Sequence, residues 1–313
     1  MTSDPFAAGI RQGEPYSLYL ISNEVVIPAL DTSPFDVPLT TVDFRTEHFK
    51  FRHRQYQVTD LLALFRYAHS MSVRYPQLVL PRWMIVDLAL MPTGLLLAVA
   101  GQEHVASVAR ALERDGPNES AARLRDLLQI ASRLDYGTPV PVAGFAAAPT
   151  TTVGHWVGGS LWWSLIPGEG LGYTVRRIAL ACYRATTEIG VTQYDNAPAL
   201  AAQTKFGRLR ITKTRLSLHP VPLTFVYEVD LTGLPPNGDP APEFEPCEFM
   251  EEIDMTNASL DDKLEEIQQG IDAGACYYLR PSLKTLDGKP TIYRTERARC
   301  TNCERTNGGS QKA

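Results

Sequence analysis

At 313 residues, with 44% apolar and 21% charged residues, the chain has room for one large domain or two ordinary ones and enough apolar content to bury a core. It opens without a basic region followed by an apolar core, and its most apolar stretch, residues 83–100, contains Asp87, Pro92 and Gly94, so neither a secretory signal nor a membrane span is expected. The net charge of −5 is unevenly spread, because residues 234–275 hold twelve acidic side chains against one lysine while residues 276–313 hold eight basic against three acidic.

Taken in chain order, residues 1–14 read as disordered, 16–21 and 25–27 as a strand or hairpin, and 31–38 as loop. Between Val42 and Val58, alternation sets Phe49 and Phe51 against His48, Lys50, Arg52 and Arg54, the pattern of a half-buried strand with a basic outer face. Thr59 is placed to cap a helix reaching about Ser70, with Leu61, Leu62, Phe65 and Ala68 at helical spacing. Pro92, Thr93 and Gly94 then read as the turn between two buried strands over 83–100. Helices are expected over 104–114 and 119–134, and strands over 140–147 and 154–166. The spacing of Leu171, Val175, Ile178, Cys182, Ala185 and Ile189 predicts one amphipathic helix from about Gly170 to Ile189. A strand over 190–194, a helix over 198–205 and strands over 208–218 and 224–231 complete this region.

This order gives an α/β fold with a mixed, mainly antiparallel sheet flanked by helices. Residues 1–233 are read as the main domain and 234–258 as an acidic, proline-rich linker. Ser259 and Asp262 open a short helix within 259–275 like a capping box, ending near Gly270 or Gly274, and 276–313 read as a basic, largely flexible end that begins with short Tyr-rich strands or coil. Five cysteines, an odd number with only Cys182 in the first 233 residues, argue against a disulfide-stapled fold and for a reducing, cytoplasmic setting. Cys300 and Cys303 have the spacing of half a zinc site, but Cys247 and Cys276 stand at no common finger spacing, so no metal is expected.

The segment with the clearest chemical content is Gly168, Glu169, Gly170, Leu171 and Gly172, set between an apolar strand and the longest predicted helix. Glycines let main-chain N–H groups approach a ligand, and a helix start adds partial positive charge. Together they suit a phosphate or pyrophosphate.

Together with its flanking elements over residues 140–231, this segment resembles the GNAT-type acyltransferase superfamily. Gly170 and Gly172 match the family's pyrophosphate-binding pattern, although Pro167 stands at its Arg or Gln position. Asn196, Ala199, Lys205 and Gly207 match the next motif at its offsets, whereas Gln203 takes the place of a Tyr and Arg208 that of a Phe. The resemblance implies a central strand that splays from its neighbour, and acetyl-coenzyme A or another acyl-coenzyme A held by residues 168–172 with Asn196 nearby. It also implies attack by an amine on the thioester, with a general base, a general acid and a main-chain oxyanion donor around 163–165.

The acceptor, whether small molecule, peptide or nucleic acid, is not specified. Because Gln203 cannot donate a proton as the family's Tyr does, Tyr194, Asp195 and Ser164 are the candidate catalytic groups, with His155 and His219 behind them. Two other readings stand beside this one. The first is a non-catalytic binding or assembly protein that makes protein contacts through its charged C-terminal segments. The second is a nucleic-acid-modifying member using the basic strands around Arg45–Arg54 and Lys205–His219.

Overall fold

The computed structural model describes residues 15–23, 39–73, 79–90, 94–134, 137–158, 163–168, 170–194, 196–214, 224–235, 240–241, 245–255, 259–280 and 291–296. The fold is α/β with mixed, mainly antiparallel sheets, and seven helices lie among the described residues. It does not form one domain ending near 233. The first of two compact units runs to Thr151 and takes up 163–185; the second holds 152–158, 186–235 and the described residues beyond 239.

In the first unit β1 (Tyr16–Ser22) pairs parallel with β2 (Leu39–Asp43) and antiparallel with β5 (Leu95–Ala100). The sheet continues antiparallel through β6 (Val140–Phe145) to the two-residue β9 (Trp163–Ser164). β5 and β6 are buried at every position, so alternation is absent there and both faces must be covered. On one face Gly144 leaves room for Phe65 of α1 (Val58–Ser72) and for the Trp163 indole; a Cβ would press on both rings at 3.0 Å. On the other face Phe145 meets Arg176 and Tyr183, contributed by α5 (Leu171–Cys182) and its C-cap. The helices α3 (Gln102–Asp115) and α4 (Asn118–Ala131) agree with their predicted positions.

Several expectations are corrected here. Residues 82–90 form α2 (Arg82–Leu90) rather than a strand, and Ile85, Leu88 and Ala89 point inward at i, i+3, i+4. Only β5 survives of the expected pair of strands. The stretch 42–58 is broken into the end of β2, a 3-10 turn at Phe44–Thr46, and a hairpin of β3 (His48–Phe51) and β4 (Arg54–Gln57). Its alternation nonetheless holds, with Phe49 and Phe51 buried and His48, Lys50, Arg52 and Arg54 exposed. Gln57, not Thr59, is the N-cap of α1, and the Thr59 hydroxyl donates to Gln57 Oε1 at 3.4 Å.

Tyr19 lies on the α1 face of the sheet, donates its hydroxyl to the Lys50 carbonyl at 2.8 Å and packs edge-on to Phe49. Burial pushes its pKa up to about 12. Folding therefore favours the protonated phenol. That contribution is complete below the unfolded value near 10 and is lost as pH rises from there toward 12. The urea midpoint is expected to fall less steeply over that window in Tyr19→Phe than in the parent; parallel curves would remove Tyr19 as the cause.

The second unit is built on β8 (His155–Val157), β10 (Thr187–Gln193), β11 (Leu209–Lys213) and β12 (Thr224–Asp230). β10 pairs parallel with β8 and antiparallel with β12, and β12 pairs antiparallel with β11. The sheet then continues from β11 into β14 (Cys276–Arg280) and β15 (Thr291–Thr295) and ends at β13 (Glu251–Glu252). The short Tyr-rich strands read after residue 275 are β14 and β15, whereas part of the expected linker is strand.

α7 (Leu260–Asp272) starts as the sequence predicts, with Asp262 N–H donating to Ser259 Oγ at 3.2 Å. Leu264 and Ile267 are buried, and Thr214 ties the helix down by donating its hydroxyl to the Leu264 carbonyl and its amide to Gln268 Oε1. Cys182 and Cys276 are thiols outside any disulfide, but Cys247 is disulfide-bonded, which departs from the reduced chain expected.

Candidate functional site

The glycine turn behaves in the first unit as its composition demands. Gly168 sits at φ 83° and Gly170 at φ 65°, both in the left-handed region that side-chain-bearing residues avoid. Around Gly168 there is open space, since a Cβ there would meet nothing within 4 Å. Gly170 is the N-cap of α5, makes no side-chain cap bond, and accepts from the Thr174 amide at 3.0 Å. An α-helix leaves its first amides without intrahelical acceptors, and the first turn of α5 contains no acid to offset its positive end. Leu171 and Gly172 are buried, so their contribution to any ligand would be main-chain. Glu169 lies outside the described residues.

The body of α5 differs from the expected stripe. Every residue from Leu171 to Leu180 is buried, including Arg176 and Arg177. Arg177 donates to Tyr173 Oη at 2.7 Å, one turn back, and lies over the Tyr173 ring, while Arg176 lies over Phe145. Stacking on aromatic faces suits the weakly hydrated guanidinium better than an ammonium. Sequence reasoning missed both arginines, because a one-sided stripe assigns them to solvent.

Ser164 in β9 is exposed, and its hydroxyl donates to the Ile166 carbonyl at 3.2 Å, a local bond within the strand end. The remaining candidates belong to the second unit. Tyr194 follows β10, is buried and meets Phe225 edge-on at 5.5 Å. Asp195 lies outside the described residues, as do His219, Cys300 and Cys303. Asn196 is the N-cap of α6 (Ala197–Thr204), accepting from the Ala199 amide at 3.4 Å, so its side chain holds a helix start. His155 opens β8 and is half-buried.

Gln203 on α6 is 4% exposed, and its Oε1 has no hydrogen-bond donor among the described residues. Such an orphan acceptor is costly and marks a place where a donor from outside the protein would be welcome.

The chain matches no family model and no curated protein.

Among the described residues no helix is long and apolar enough to cross a membrane, and no group of three or more His, Cys, Asp or Glu is placed to hold a metal ion. The arrangement that remains chemically distinctive is a strand, a doubly left-handed glycine turn and a helix start lacking acid. Next in the chain come β10, α6, β11 and β12, with β12 lying between β10 and β11 in the sheet.

Proposed function

We propose that this protein binds acyl-coenzyme A through the glycine turn and transfers the acyl group to an amine. The observation that carries the reading is the start of α5. There two left-handed glycines, Gly168 and Gly170, turn the chain into a helix whose first turn has neither side-chain cap nor acid. A diphosphate is the ligand for which such a turn is best suited, since main-chain amides and the helix dipole act on it together.

The order of elements agrees with the resemblance. Residues 155–164 begin paired with β10 in parallel and end paired with β6, so one run of chain serves two sheets in succession. The amine would attack the thioester carbonyl, forming the new C–N bond as the C–S bond breaks. The proton lost by nitrogen would pass to a base and the thiolate would take one from an acid. Ser164 is the candidate polar group on the strand before the turn.

A second reading has its own support. Gln203, at the position of the family's acid, is a buried amide, and Ser164 spends its hydroxyl on Ile166. Both favour a protein that keeps the ligand site without the transfer chemistry.

The test is coenzyme A binding by calorimetry to Gly168→Asp and Gly168→Asn. Asp and Asn tolerate left-handed φ comparably and meet open space at this position. The carboxylate is expected to weaken binding at least about tenfold relative to the amide, a difference of about 1.4 kcal/mol. Equal affinities, or no binding by the parent, would remove the diphosphate from this turn. Acyl transfer from acetyl-coenzyme A to a panel of amines then separates the two readings.

A further inference from the structure

The disulfide of Cys247 plays no part in the acyl-coenzyme A reading, and the cysteine count gives it a chemistry of its own. The chain has five cysteines. Cys182 and Cys276 stand outside any disulfide while Cys247 is in one, so within the chain its partner is Cys300 or Cys303. Whichever of these two is bonded, the other is left with no cysteine to pair with, at Cys-X-X-Cys spacing from the bonded one. Two cysteines at that spacing readily form a disulfide with each other.

The strands beside Cys247 agree with this pairing. β13 and β15 are antiparallel, with Glu251 opposite Arg294 and Glu252 opposite Tyr293. The chain entering β13 from Cys247 and the chain leaving β15 at Thr295 are therefore at the same end of the pair. The Cys247 carbonyl accepts from the Met250 amide at 2.9 Å, and Met250 packs against Tyr278 and Tyr293. The bond closes a loop that contains β13, α7, β14 and β15. Such a closure stabilises chiefly by restricting the unfolded chain.

β13 has little else to hold it. Its two residues, Glu251 and Glu252, are exposed and bury no apolar side chain. Beyond the two ladder pairs, the Ile253 amide donates to the Ile292 carbonyl at 2.8 Å and the Tyr293 hydroxyl to Glu252 Oε2 at 3.4 Å. A sheet edge with so few buried apolar contacts belongs to the low-stability end of a structure unless it is tied.

We propose that Cys247, Cys300 and Cys303 form a thiol–disulfide exchange site that fastens β13 to the second unit's sheet. The unbonded thiolate of the Cys300–Cys303 pair attacks the sulfur of its neighbour. A new S–S bond forms within the pair as the bond to Cys247 breaks, and Cys247 leaves as a thiolate. Attack by Cys247 on either sulfur of the pair restores its bond. One disulfide is lost for each one formed, so the exchange needs no oxidant. A dithiol reductant removes the bond altogether and is itself oxidised to a disulfide. The site is separate from the glycine turn and stands whether or not the protein binds coenzyme A.

The experiment quenches the full chain in acid, alkylates its thiols without reductant and maps Cys247 by mass spectrometry. The parent is compared with Cys300→Ser, Cys303→Ser and the double variant. Cys247 is expected to escape alkylation in the parent and in both single variants, because either cysteine can hold it, and to be alkylated in the double variant. Loss of the bond in either single variant leaves a fixed bridge and overturns the exchange. A Cys247 alkylated in the parent, with or without stoichiometric zinc, overturns the site, as does a bond that persists in the double variant. Hydrogen exchange reads the fastening. With dithiothreitol the amides of 251–253 are expected to exchange at least about tenfold faster while β10 and β12 keep their protection. Unchanged protection of 251–253 on reduction overturns the role given to the bond.

Discussion

Gly207→Ala is expected to lower the stability of the second unit by about 3 kcal/mol, at the upper end of what a small-to-large change in a packed interior costs. Gly207 lies at the entry to β11, and a Cβ there would overlap the carbonyl oxygen of Asp230 at the end of β12. The obstacle is main chain, and Asp230 is itself fixed, its amide reaching the Arg208 carbonyl and its carboxylate accepting from Thr232. Relief would require opening the first pairs of β11 with β12, Leu209 with Val229 among them. Urea unfolding with an unchanged slope and a markedly lower midpoint is the expected result. A midpoint within error of the parent would show that the strands separate there at no cost. The same position matches the glycine of the resemblance's second motif, so loss of any coenzyme A binding in this variant would have to be read against its stability.

Gly190 makes the same demand of a different neighbour, since a Cβ would overlap the Tyr227 ring across the β10–β12 pair. Neither need was legible in the sequence, because close approach depends on a partner strand some twenty to forty residues away. Gly190 was read only as the start of a strand, and Gly207 only as a match to the second motif just before one. Where the cause was local, it succeeded. Ser259 and Asp262 were read as a helix start and are one, and the left-handed Gly274 that ends α7 was among the ends expected.

The end of α5 shows the limit of local reading. The helix stops with Arg184 at φ 50°, the Ala185 amide reaching the Leu180 carbonyl and the Arg184 amide that of Ala181. α7 ends in the same pattern, with Ala275 bonding to Gly270 and Gly274 to Ile271. In α7 the left-handed residue is glycine and announces itself. In α5 it is arginine, which gives no such signal, while Ala185 and Ile189 happen to continue the apolar spacing into β10. The predicted helix therefore ran on past Cys182 to Ile189. Likewise α2 was hidden because Trp83 and Leu90 are apolar yet exposed, at 62% and 39%, which made a one-sided helix read as a continuous buried run. The glycine turn before α5 was legible because its cause, backbone conformation, is written in the residue type.

Ending the chain after Ala275 is expected to unfold the second unit, although the residues removed read as a flexible basic end. β14 is the partner of β11, with Leu209, Arg210 and Ile211 opposite Leu279, Tyr278 and Tyr277. Without it β11 becomes an open edge. Tyr277, Tyr278, Leu279, Ile292 and Tyr293 are all buried, and full burial of a large apolar side chain contributes about 1.5–3 kcal/mol each. Together such losses are comparable to the ~5–15 kcal/mol by which a whole domain is stable. α7 would lose its seat too, because Gly270 is the residue that accommodates the Tyr277 hydroxyl, and a Cβ at 270 would overlap it. Hydrogen exchange followed by mass spectrometry is the direct reading. The amides of 209–213 and 260–272 should exchange at unfolded rates in the truncated chain, while β5 and β6 of the first unit keep their protection. Protection of 209–213 matching that of the full chain would mean that β11 holds without β14, and that the sheet closes at β11 on its own.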